Sequence, residues 1–146
     1  ETFDVLIENN LMLGNSTALM RAPLTIQGSR DVVFRNNTIW GDLPARSFAG
    51  RLIAGSSNPR NENLSFVNNI YADPTGTMGS EAFSGVDLFD APADQTASAT
   101  LNQNLYFNGG MAVPLDAGQF LDLNDDANAL IAEAEDAIPV ECGNEL

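Results

Sequence analysis

"DVVFRNNTIWGD", residues 31–42, alternates apolar and polar residues as a half-buried strand does, then breaks into two asparagines, which strands disfavour. The unit recurs as "DVLIENNLMLGN" at 4–15, "NLSFVNNIYAD" at 63–73 and, more loosely, "ATLNQNLYFNGG" at 99–110. Aligned on the second asparagine, the units form a column of Asn10, Asn37, Asn69 and Asn104, with spacings of 27, 32 and 35 residues. One strand motif per period of this length is the mark of a solenoid.

The alternation assigns faces. Ahead of the asparagines, Val5 and Ile7, Val32 and Phe34, and Leu64 and Phe66 are expected to point inward. Behind them, Met12, Ile39, Ile70 and Leu105 are expected inward, and Leu13, Trp40, Tyr71 and Tyr106 outward. Second apolar segments, "LTIQGS" at 24–29, "RLIAGSS" at 51–57 and "VDLFDAP" at 86–92, give each coil two or three short strands. The lengthening period places extra residues in loops at 41–50 and 72–85, and such loops commonly carry function.

Over residues 3–123 this pattern resembles the right-handed parallel β-helix of the pectate-lyase-like superfamily, whose coils bend at an "NN" between two strands. The resemblance implies an all-β solenoid of about four coils, in which asparagines from successive coils stack at the ~4.8 Å strand spacing and bond along the axis. A carboxamide suits that bend because it both donates and accepts, and asparagine tolerates a left-handed backbone. Residues 124–146 read differently. Asn124 is placed to cap a helix whose stripe is Leu130, Ala134 and Ile138 with Ile131, and the alternative is a linker tail.

Composition bounds the function. The 146 residues are 44% hydrophobic, enough for one domain with a core, and carry 20 acidic against 6 basic residues, all Arg, for a net charge of −14. That balance argues against nucleic acid and anionic membranes as partners. The first part is neutral, whereas the acids from Asp73 onward have no basic residue among them. With no His and only Cys142, a Ser-His-Asp triad, a histidine metal site and an internal disulfide are excluded; with no Lys, a lyase would use Arg or Tyr as its base. No apolar run reaches the ~18 residues of a membrane span.

The resemblance implies a secreted or cell-surface protein that binds or cleaves an extracellular polysaccharide, acidic ones included; the alternative is a non-catalytic surface, adhesive or structural module. Candidate catalytic residues are Glu8 and Arg35, an opposite-charge pair on adjacent coils, which also fits a plain solvated ion pair. Candidate substrate-binding residues are Trp40 and Tyr71, whose rings suit sugar faces, and Arg46 in the 41–50 loop. Asp87, Asp90 and Asp94 form an oxygen-rich cluster of the kind calcium takes, without the spacing of a strict calcium loop. The opening "ETFDVLIENN" starts at once on a strand signal. It therefore reads as a C-terminal portion of something longer, with an N-terminal fragment or second subunit stacked below the first coil.

Overall fold

The computed structural model describes residues 2–14, 22–41, 48–78, 88–114, 120–121 and 123–133. The first coil supplies β1 (Thr2–Glu8) and β2 (Leu11–Gly14); the second β3 (Thr25–Gln27), β4 (Ser29–Arg35) and β5 (Thr38–Gly41). The third supplies β6 (Gly50–Ile53), β7 (Glu62–Val67) and β8 (Ile70–Ala72), and the fourth β9 (Phe89–Asp90), β10 (Ala99–Asn102) and β11 (Leu105–Phe107). A 3-10 turn, Leu123–Asp125, leads to β12 (Leu130–Ala132).

Each sheet collects one strand per coil. The first runs β1-β4-β7-β10, the second β2-β5-β8-β11-β12 and the third β3-β6-β9, every pairing parallel. The chain visits the sheets in the same order turn after turn, so the protein is an all-β parallel solenoid.

The core follows from the alternation. Val32, Phe34, Leu64 and Phe66 are buried as the sequence predicts. They meet Ile26, Leu52 and Phe89 from the third sheet, and Leu88 just before it. Phe34 lies 6.1 Å from Phe66, and Phe66 lies 6.0 Å from Phe89, in tilted contacts. Each such ring removes enough apolar surface from water to contribute about 1.5–3 kcal/mol.

The asparagine column is the second internal feature. Nδ2 of Asn10 donates to Oδ1 of Asn37 at 2.9 Å, Asn37 to Asn69 at 3.1 Å and Asn69 to Asn104 at 3.0 Å. Each Nδ2 from the second coil on also donates to a carbonyl of the coil below, at Ile7, Phe34 and Phe66. The first residue of each pair makes the bend: Asn9, Asn36, Asn68 and Gln103 have φ of 52° to 58°, a left-handed conformation that asparagine adopts at low cost.

Two expectations are corrected. Tyr71 and Tyr106 point inward, 1% and 0% exposed, with rings stacked at 5.5 Å. The register aligns Met12, Ile39, Tyr71, Tyr106 and Ile131. All but Ile131, which follows a turn, stand two places after the ladder asparagine; Ile70 and Leu105 stand one place after it. Reading those two as the inward partners of Met12 and Ile39 slips the register by one, and with a period of two that slip inverts both faces. In place of the start of a helix, the described residues past 123 form the 3-10 turn and β12, which extends the second sheet. The remainder of that stretch lies outside the described residues.

Candidate functional site

On the outer face of the first sheet, β1 and β4 set Glu8 beside Arg35. Arg35 Nε donates to Glu8 Oε2 at 2.7 Å, with the side chains 47% and 33% exposed respectively. Further along the same sheet, Asp4 on β1, Asp31 on β4 and Asn63 on β7 share a left-handed backbone, and Asn63 Nδ2 donates to Asp31 Oδ1. A shallow depression of about 410 Å³ lies between them, floored by Leu6, Val33 and Ser65.

The other candidates are dispersed. Trp40 is half-buried on β5, in register with Leu13 and Ala72, so it has no outward aromatic neighbour there. Tyr71, buried against Tyr106, offers no face to an external ligand; burial first, and the Asp126 charge second, push its phenol well above the usual tyrosine range. Arg46 and Asp87 lie outside the described residues. Asp90 is engaged by Arg51, whose Nε approaches Oδ2 to 2.6 Å with both side chains 17% exposed. Asp94 sits in the turn after β9. No group of three or more Asp, Glu, His or Cys able to hold a metal occurs among the described residues.

The structure adds a site that the sequence reading passed over. A groove of about 540 Å³ follows the bend between the first and second sheets, parallel to the stacking direction. One wall is the column of bend residues, Asn9, Asn36, Asn68 and Gln103, whose left-handed backbones leave their carboxamides exposed. Asn68 Nδ2 donates to Asn36 Oδ1 at 2.9 Å, so the column is partly ordered before any ligand arrives. The other wall is the residue after each ladder asparagine: Leu11, Thr38, Ile70 and Leu105, with Leu130 of β12 beyond them. Leu11 and Leu130 are 50% and 62% exposed.

Among the described residues, no charged side chain lines this groove. Donors and acceptors repeat along one wall at the strand spacing of ~4.8 Å, and methyl groups repeat along the other. Such a surface suits an extended, uncharged molecule that carries both hydroxyls and apolar faces. The signal was present in the sequence as the first member of each "NN" or "QN" pair, but periodicity alone does not separate the bend residue from its buried neighbour. No protein-family model, curated protein or solved structure matches this chain.

Proposed function

We propose that this protein is a carbohydrate-binding β-helix, of the pectate-lyase-like kind that its repeats resemble, and that a polysaccharide lies along the bend groove. The observation that carries the reading is the groove's pairing of a carboxamide column with an apolar column. Sugar hydroxyls both donate and accept, as carboxamides do, and the weakly hydrated faces of sugar rings match Leu11, Ile70 and Leu130. A secreted or cell-surface location accompanies this reading.

The absence of charge among the described residues that line the groove, on a chain of net charge −14, favours a neutral glycan over an acidic one. Catalysis at Glu8 and Arg35 is the second reading. It is favoured by their position on the adjoining outer face, where a ligand extending out of the groove would pass them.

The test is a titration followed by the side-chain amide resonances of Asn9, Asn36 and Asn68, using matched neutral and uronic-acid oligosaccharides. Neutral chains should shift those resonances, and Leu11→Asp should weaken the response about tenfold or more. Shifts confined to the surroundings of Glu8 and Arg35, with product formed, would support the catalytic reading. A flat response across both glycan classes would leave a structural module.

A further inference from the structure

The asparagine ladder has a direction. From one coil to the next, the backbone N–H and Nδ2 of the lower asparagine both donate to Oδ1 of the upper one: Asn10 to Asn37, Asn37 to Asn69 and Asn69 to Asn104. Each rung above Asn10 therefore receives two donors from below, and each from Asn10 to Asn69 sends two to the next asparagine.

The top is closed by a different residue. The position in register with Asn104 is Ala129, next to Leu130, and Asp126 reaches in from the preceding turn instead. Its Oδ2 accepts from Asn104 N at 3.1 Å and Nδ2 at 2.8 Å, and from the Tyr106 hydroxyl at 3.3 Å. Asp126 is 5% exposed, and its Oδ1 has no hydrogen-bond partner among the described residues. A carboxylate accepts and does not donate, so the series of amide donors ends there.

The bottom is open in the complementary sense. Among the described residues no donor reaches Asn10 Oδ1, and Asn10 Nδ2 turns back to its own Glu8 carbonyl at 3.0 Å, where higher rungs donate to the coil below. Val5, Ile7 and Met12 are only partly buried, although their counterparts Val32, Phe34 and Ile39 are 3%, 1% and 0% exposed. The edges of β1 and β2 lie on this side.

We infer that the first-coil end is a docking surface for one further parallel β coil that carries asparagine at its bend and is not a second copy of this chain. Such a coil supplies what the surface lacks: a backbone N–H and an amide for Asn10 Oδ1, a carbonyl for Asn10 Nδ2, and apolar side chains over Val5, Ile7 and Met12. Among the described residues, a copy stacked top to bottom would instead present Asp126 and Ala129 at the ladder position, neither of which carries a side-chain donor. Two copies meeting bottom to bottom would bring acceptor to acceptor.

The experiment appends a copy of residues 29–41 ahead of the full chain through a Gly/Ser linker of about 20 residues, long enough to span a coil and short enough to keep the copy at high effective concentration. A second protein is identical except for Asn37→Asp in the copy. Amide hydrogen exchange is followed in β1, and mass is measured by sedimentation. The asparagine version should slow exchange of the β1 amides that face away from β4, and the aspartate version should lose roughly tenfold or more of that protection. Equal protection by both versions would overturn the role of the ladder. Protection by neither would overturn the docking surface, and a dimer of the unextended chain protected at β1 would make a second copy the occupant.

Discussion

Four hydrogen bonds converge on the Asn69 side chain: Oδ1 accepts from Asn37 N and Nδ2, and Nδ2 donates to Phe34 O and to Asn104 Oδ1. Leucine would fill much the same volume and leave those partners buried without replacements. Asn69→Leu should therefore lower stability by about 3 kcal/mol or more, because each unsatisfied group costs ~1–3 kcal/mol. At Asn68, exposed with φ of 52°, the requirement is for backbone conformation, and Asn68→Gly should be nearly neutral. Urea unfolding midpoints that coincide for the two variants would contradict this division of labour within the pair. The buried column was legible because the doublet recurs; which tyrosine face pointed inward was not, because Ile70 and Tyr71 are both good strand residues. Tyr71 also predicts a pH dependence. Its proton is held more tightly in the folded than in the unfolded state, so stability is fully present below the ordinary tyrosine pKa of ~10 and falls as pH rises above it. Tyr71→Phe should flatten that alkaline decline.

Among the elements, β12 is the one that local sequence signals misassign. Asn124, Asp125 and the spacing of Leu130, Ala134 and Ile138 describe an amphipathic helix, but the free edge of β11 offers parallel pairing, and Leu130 N donates to Asn104 O at 2.9 Å. Tertiary pairing overrides local preference here, assisted by Asp126 holding the turn. Asp126→Ala should accordingly release β12 and speed amide exchange in β11, while Asp126→Asn, which keeps an acceptor for Asn104, should do so far less. The two ion pairs make a second contrast at this scale. Glu8–Arg35 is solvated, and Arg35→Met should change stability by less than about 1 kcal/mol. Arg51–Asp90 joins β6 to β9 with both side chains largely covered, so Arg51→Met should cost more, about 1–2 kcal/mol, by stranding Asp90. Arg51 was invisible as a partner in the sequence because 39 residues separate the two strands' contact.

For the whole molecule, coil number was readable from the spacing of the doublets, whereas the parallel direction was what the resemblance implied; the spacings of 27, 32 and 35 residues leave room for the long crossover that a parallel neighbour needs. The groove was not readable, because it arises where two sheets meet and belongs to no single strand. The charge is a property at this scale too. Fourteen excess negative charges repel one another across a short solenoid, and raising NaCl from about 0.02 to about 0.5 M should raise the thermal midpoint by screening them. Binding of a neutral glycan in an uncharged groove should be nearly indifferent to the same change. A salt-sensitive affinity would point instead to the Glu8 and Arg35 face.

Because its strands are wound rather than folded back, the chain is a spool. Drawn between its ends, it has to pay out thread one turn at a time, and the turns differ in length. Peeling from Asn10 to Asn37, to Asn69 and to Asn104 releases 27, 32 and 35 residues, or about 95, 110 and 120 Å of extended chain. Under tension the protein should yield in unequal, ordered steps, each the length of one coil.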